Sequence, residues 1–418
     1  MKIKRKILDQ IISCIPSRKI IVLNGARGVG KTTILKKIEN NLQKEERNCS
    51  YLNLEAFQVA EKLDKNPENI FDFISRKKKE DHCYVLIDEI QILENPSHFL
   101  KYMYDFHDNV KLIVTGSANL EIKANLQDSL VGRKIDFYIN PLSIEEILEF
   151  ENLDSKTKNP LEEDRVNKIF EEYLIFGGLP DVYLEKDRER KKQLLREYIG
   201  SYVNKDIRSL VSKINISKFN NLNIALSSLV GNLMNKRELC TSIGLDNRTL
   251  DKYLDMLRFS FIFYFLPPYF SSKEINQIRK MHKVYCFDFG VRNAILNSFN
   301  SLELRQDSGA LFENFVFLIL HSRYRQLFFW NKSGGAEVDF VFLENGTNIV
   351  EAKFRNFKKI KIERSLISAI NKLNPEKIQL INLSLNEVLE KGNKQIEFLS
   401  WKNLIYHIGI FNLLIFNF

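Results

Sequence analysis

The apolar positions of this chain change period several times, and each change marks an element. An unbroken apolar run, KIIVL at 19–23, leads through glycines into KTTILKKIENNL, which reads as a helix. CYVLIDEIQ (83–91) and NVKLIVTGSAN (109–119) are further unbroken runs, the pattern of strands covered on both faces. Together they predict an α/β domain over 1–145. Residues 141–215 look helical, with one break at FGGLP (176–180), and predict a helical lid over 146–215. Leu239 and Ile243, then Leu250, Tyr253, Leu254 and Leu257, stand at helical spacing on either side of Gly244-Leu245. Asp246 or Asn247 serves as N-cap of the second helix, which is the pattern of a helix-turn-helix. FIFYFLPPYFSS then reads as a β-rich wing, so a winged helix-turn-helix is expected over 216–275.

The last third alternates differently. GALFENFVFLIL (309–320) is an apolar helix, FFWNKSGGAEVDFVF (328–342) alternates like a strand, and Asn-Gly in LENGTN marks a hairpin turn before the strand NIVEAKF (348–354). A helix (ERSLISAINKL) and a strand (KIQLINL) follow, giving an αββαβ core within an expected domain of 276–405. The tail 406–418 is apolar but interrupted by His407, Asn412 and Asn417, so stable membrane insertion is not expected. It is read either as a terminal element packed on a neighbour or as a membrane contact.

Length and composition agree with several domains: 418 residues, 44% hydrophobic, too apolar for a disordered chain. A net charge of +9 is compatible with a polyanionic partner. Five cysteines without CxxC spacing argue against a zinc site or a disulfide framework and suit the cytoplasm.

The chemistry begins at NGARGVGKTT. Gly25, Gly30, Lys31 and Thr32 meet the pattern GxxxxGK[ST], so residues Gly25, Ala26, Arg27, Gly28, Val29, Gly30, Lys31, Thr32 and Thr33 form the candidate phosphate loop. Backbone N–H groups curl around the phosphates, Lys31 reaches the terminal ones, and the Thr32 hydroxyl ligates magnesium. Hydrolysis needs an acid on a second strand: Asp88 holds magnesium through water, and Glu89 orients the attacking water. Thr115, Ser117 and Asn119 end a strand that would carry a polar residue toward the γ-phosphate, with Ser117 preferred and Asn119 second. That additional strand fits the class of P-loop ATPases that includes the AAA-type machines. Arg133 has two readings, an arginine finger supplied to a neighbouring subunit or a surface cation. Arg248 and Lys252, one turn apart on the second helix of the helix-turn-helix, favour DNA over a protein contact.

A second candidate site lies near the C-terminus. Asp339, then Glu351 and Lys353 in a D…ExK pattern across a hairpin, with Glu313 on the preceding helix, is the arrangement of restriction-endonuclease-like folds. Glu313, Asp339 and Glu351 would be the metal-facing carboxylates, converging on one or two magnesium ions, and Lys353 would position the nucleophile or neutralise the transition state. Such domains either cut DNA or serve as binding scaffolds.

With these motifs in hand, the chain resembles the prokaryotic AAA-type P-loop ATPases fused to a C-terminal restriction-endonuclease-like, PD-(D/E)XK, domain. The similarity also rests on LVGRKIDFYINPLSIEE, FGGLPDV, VYCFDFGVRNAI and GALFENFV. It implies ATP binding at Gly25, Lys31 and Thr32, hydrolysis aided by Glu89, and a nuclease-like site at Glu313, Asp339, Glu351 and Lys353. The expected function is an ATP-hydrolysing protein acting on duplex, forked or branched DNA as a homo-oligomeric ring, a hexamer, with ATP and Mg2+ as cofactors. Two rivals stand beside it: an ATP-dependent regulatory switch binding DNA or protein, and an ATP-gated metal-dependent nuclease.

Overall fold

The computed structural model describes residues 3–74, 82–116, 130–202, 214–270, 281–324, 326–332, 335–357, 359–360 and 362–409. After helix α1 (Ile7–Cys14), strands β1 (Ile20–Asn24), β2 (Cys49–Asn53), β3 (Cys83–Asp88), β4 (Val110–Gly116) and β5 (Lys134–Tyr138) form one parallel sheet in the order β2-β3-β4-β1-β5. Strand β4 therefore stands between the strand that feeds the phosphate loop and the strand that ends in Asp88. The unbroken apolar runs have a direct cause, since both sheet faces are covered. Ile21 and Leu23 enter one core with Ile34 and Ile38 of α2 (Lys31–Lys44), while Ile20 and Val22 enter another with Leu63 of α3 (Phe57–Lys65) and Leu100 and Met103 of α4 (Pro96–Phe106).

The helical region has two more breaks than its pattern suggests, one after Phe150 and one after Leu184. Helix α5 (Ile144–Phe150) ends before a polar stretch, and α6 (Pro160–Phe176) restarts with Asn159 as N-cap and Pro160 in its first turn. Helices α7 (Pro180–Leu184) and α8 (Arg188–Ser201) follow the FGGLP break. Helix α9 (Ile216–Ser228) precedes the pair α10 (Lys236–Ile243) and α11 (Asn247–Phe259). Asp246 is the N-cap of α11, accepting from the Thr249 N–H at 2.9 Å.

Strand β6 (Phe263–Leu266) pairs antiparallel with β7 (Lys283–Cys286). Backbone bonds from Gly231 to Val284 and from Met234 to His282, both 2.8 Å, attach the segment after α9 to the same ribbon. The ribbon thus crosses the boundary expected at 275/276, because β7 is paired with β6 on its other side. Residues 271–280 lie outside the described residues.

Helices α12 (Phe289–Ile295) and α13 (Ser308–Arg323) lead into a mixed sheet. Its strands are β8 (Leu327–Asn331), β9 (Glu337–Leu343), β10 (Thr347–Ala352), β11 (Lys377–Asn382), β12 (Glu387–Lys391) and β13 (Lys394–Ser400), in the order β12-β13-β11-β10-β9-β8. The stretch 328–342, expected as one strand, is two antiparallel strands. Its turn is closed by the Lys332 N–H on the Ala336 carbonyl at 2.8 Å and passes through Gly335. Helix α14 (Arg364–Leu373) joins β10 to the parallel strand β11, and α15 (Trp401–Gly409) packs on β13. Among the described residues no helix is long and apolar enough to cross a membrane.

One joint ties the two halves of the chain. Asp288 caps α12 through the Val291 N–H at 3.0 Å, and its other oxygen accepts the Gly178 N–H at 2.7 Å. The Gly178 carbonyl in turn accepts from Leu142, just past β5, at 2.7 Å. The FGGLP break is thus held between the first domain and the C-terminal half.

His321 on α13, beside Tyr264 and Phe317, is pushed down to about 4 by burial. The folded chain keeps it neutral while the unfolded chain protonates it, so this stabilisation is present above pH 6.5 and lost as pH falls toward 4. The expected loss is about 3 kcal/mol by pH 4. Urea unfolding of wild type and His321→Phe at pH 7 and pH 4.5 checks this, since the variant should lose less.

Candidate functional site

The first site is assembled at the C-terminal ends of β1, β3 and β4. Gly25 follows β1 where a Cβ would lie 2.4 Å from the Ile139 carbonyl oxygen, so only glycine lets the loop turn there. Val29 is buried under the loop, whereas Arg27, Gly28 and Thr33 face solvent. Lys31, 6% exposed, donates to the Gly25 and Ala26 carbonyls, both at 2.9 Å. Its ammonium is thus stored against the loop that would receive the phosphates.

Asp88, 2% exposed, gathers three hydroxyls: Thr32 at 2.7 Å and Tyr51 at 2.9 Å on Oδ2, and Thr115 on Oδ1. Burial and then the Asp88 charge raise the Tyr51 phenol above its ordinary range, so it remains a donor. Glu89 has a left-handed backbone with φ of 61°, its N–H donating to the Thr115 hydroxyl at 2.9 Å. Its Oε2 accepts from Gln91 Nε2. The hydroxyl of Thr32 beside the Asp88 carboxylate is a hard-oxygen donor pair, which suits magnesium carried with a nucleotide. Ser117 and Asn119 lie outside the described residues. Arg133 pairs with Asp105 of α4 at 2.8 Å and 3.3 Å.

Arg5 buttresses the loop from below. It donates to the Val29 carbonyl at 2.8 Å, the Asn140 carbonyl at 2.6 Å and Glu146 Oε1 at 3.1 Å. From above, Tyr198 of α8 lies 3.5 Å from the place a Cβ on Gly28 would take. The helices after the sheet therefore lie close to the phosphate loop.

The second group converges on the C-terminal sheet. Glu313 on α13, Asp339 on β9, Glu351 on β10 and Lys353 just beyond it are brought together. The Ala352 N–H donates to Asp339 Oδ2 at 2.9 Å, and Lys353 Nζ lies 2.8 Å from Glu351 Oε1 and 3.2 Å from Glu363. Burial first and the Asp339 charge second raise both Glu313 and Glu351.

At the centre is a residue outside the expected set. Lys283 of β7, 1% exposed, places Nζ 2.9 Å from Glu313 Oε1, 3.1 Å from Asp339 Oδ1 and 2.5 Å from Glu337 Oε1. Tyr285 adds its hydroxyl to Glu313 Oε1 at 2.6 Å. Burial works against the Lys283 charge, but Tyr285, Glu313, Asp339 and Glu337 outweigh it and raise its pKa. A divalent ion at this set would have to sit against that ammonium, so the residues present do not fit the magnesium centre expected from D…ExK.

Tyr51, Gln91, Arg5, Lys283, Tyr285 and Glu337 were not singled out by sequence reasoning. A lysine at the start of an apolar strand looks like an ordinary strand end, and its burial is set by a sheet distant in sequence. Arg248 and Lys252 are exposed on α11, where Lys236 pairs with Asp251 at 2.6 Å and leaves both unengaged by that bridge.

Residues 17–148 match a family described as an AAA domain, while 167–302 and 308–404 match two families described as domains of unknown function. An uncharacterized protein of Methanocaldococcus jannaschii is 26% identical over 93% of this chain and 86% of its own length. One of Haemophilus influenzae is 28% identical over 80% of this chain and 82% of its own. Among solved structures, the replication initiator DnaA bound to AMPPCP and single-stranded DNA shows 16% identity and a TM-score of 0.28, covering 62% of this chain and 90% of that one. Drosophila ORC bound to DNA shows 12% identity and a TM-score of 0.31, covering 70% of this chain and 94% of that one.

Proposed function

Taking the N-terminal AAA-type P-loop ATPase domain as premise, we propose that this protein hydrolyses ATP and acts on DNA, the nucleotide state being relayed through the Asp288 joint. The observation that carries the ATP reading is the single buried carboxylate of Asp88 receiving Thr32, Thr115 and Tyr51, with Glu89 next to it. In this reading Lys31 leaves its loop carbonyls for the terminal phosphates, and Glu89 exchanges Gln91 for the attacking water. Magnesium arriving with ATP would be held by Thr32 and Asp88 and would neutralise phosphate charge.

DNA is engaged through the winged helix-turn-helix formed by α10, α11 and the β6–β7 ribbon. The support is the exposed pair Arg248 and Lys252 on α11. Their double replacement by alanine should weaken duplex affinity about tenfold and reduce the slope of log affinity against log salt by about 2. Fluorescence anisotropy across a salt series measures both, and unchanged affinity and slope would contradict the assignment.

A homo-oligomeric ring belongs to the same proposal, with Arg133 exchanging Asp105 for a neighbour's nucleotide. Light scattering in ATP and DNA should then show an assembly, and Arg133→Ala should lower turnover while ATP binding holds. A strictly monomeric protein would remove this part. A nucleotide-gated switch is a second reading, favoured by the closeness of Tyr198 on α8 to the phosphate loop. It predicts DNA affinity that follows nucleotide occupancy while turnover ignores DNA.

A further inference from the structure

The C-terminal carboxylates are held together by a cation that belongs to the chain. We infer that the Lys283 ammonium permanently takes the place of a divalent metal, making the Glu313–Glu337–Asp339 cluster a clamp for the β6–β7 ribbon and not a metal centre.

Three observations carry this. Lys283 is 1% exposed, and its Nζ lies within 3.1 Å of an oxygen from each of the three carboxylates. A metal ligated by Glu313 and Asp339 would need much the same space, at oxygen distances of about 2.1 Å for magnesium. Second, the lysine has no simple way out. Its backbone is paired with Leu266 on one side and bridged to Leu233 on the other, so moving it means opening the ribbon. Third, neighbouring oxygens already hold partners from the chain: Asp339 Oδ2 accepts from the Ala352 N–H, Glu351 Oε1 pairs with Lys353, and Glu313 Oε1 also accepts from Tyr285.

The lysine comes from the ribbon behind α11, while the carboxylates come from α13 and β9. The ion pairs therefore join the helix-turn-helix unit to the C-terminal sheet. Removing one partner would leave buried like charges facing one another, which favours a replacement cation.

The test is Mn2+ titration of the full-length, nucleotide-free protein, reading free Mn2+ by electron paramagnetic resonance, on wild type, Asp339→Asn, Lys283→Met and Lys283→Met/Asp339→Asn. Wild type should show no site tighter than about 100 μM, the weak end of dedicated divalent-cation sites. Lys283→Met should gain one site and a Mn2+-dependent rise in melting temperature, both lost again with Asp339→Asn. A wild-type site abolished by Asp339→Asn, or wild-type cleavage of DNA in Mn2+, would overturn the inference. A folded Lys283→Met that gains no site would overturn it too. If Lys283→Met does not fold, the wild-type titration decides alone.

Discussion

Lys31→Ala is expected to lower ATP turnover on the order of 10³-fold, the scale of losing a preorganised charge at a phosphoryl-transfer site. The lysine sits at the first turn of α2 with its ammonium 2.9 Å from two carbonyls of its own loop. These contacts are exchanged for phosphate oxygens, so their loss costs the transition state more than the fold. Melting should stay near wild type, because the glycine turn and the Arg5 contacts remain. Glu89→Gln separates binding from chemistry: nucleotide affinity should persist while turnover falls about 10²-fold or more. Phosphate release and nucleotide binding on the same preparations check both, and Lys31→Ala turnover within tenfold of wild type would contradict the site.

The second large effect concerns the joint. Gly290→Ala should destabilise the chain by about 3 kcal/mol, the upper end for overpacking a tight contact. A Cβ at Gly290 would lie 2.0 Å from the Phe176 carbonyl oxygen and 3.0 Å from Leu195. The first is backbone at the end of α6, so neither side yields by a rotamer change. Pushing α12 away would also strain the bonds from the Gly178 N–H to Asp288 and from Asn293 to the Leu174 and Ile175 carbonyls. Gly309→Ala on α13 is the matched control, since nothing lies within 4 Å of its Cβ position. It should be neutral or stabilise by about 0.5 kcal/mol. Urea unfolding of the pair reads the contrast, and equal stability would contradict the packing described for α12. Because Leu179, next to Gly178 of the joint, lies 3.9 Å from the place a Cβ on Gly28 would take, partial unfolding of Gly290→Ala should also reduce turnover.

The legible parts of the fold were those written locally. The phosphate loop declares itself because glycine spacing and a following helix are one continuous segment. The strand ending at Asp88 declares itself because both faces are covered and its apolar run is unbroken. The turn at Gly244 with Asp246 as cap is likewise a local backbone matter. What stayed hidden depends on contacts distant in sequence. Nothing near Tyr51 announces that its hydroxyl meets Asp88 from a neighbouring strand. The stretch 328–342 alternates well enough for one strand, and only its folding back at Gly335 makes it two. Lys283 shows the limit most clearly. Its strand reads as the start of an apolar run, while its charge is decided by Glu313, Glu337 and Asp339, all at least thirty residues away in the sequence. The D…ExK pattern was visible, but the cation at its centre was not.

The most direct test of the central claim is ATP turnover by the purified full-length protein with and without linear, forked and four-way DNA, scoring DNA integrity in the same tubes. The account predicts magnesium-dependent turnover that requires Lys31, rises with at least one form of DNA, and leaves the strands intact. Turnover indifferent to every DNA form, or strands cut in a reaction that requires Asp339, would contradict it.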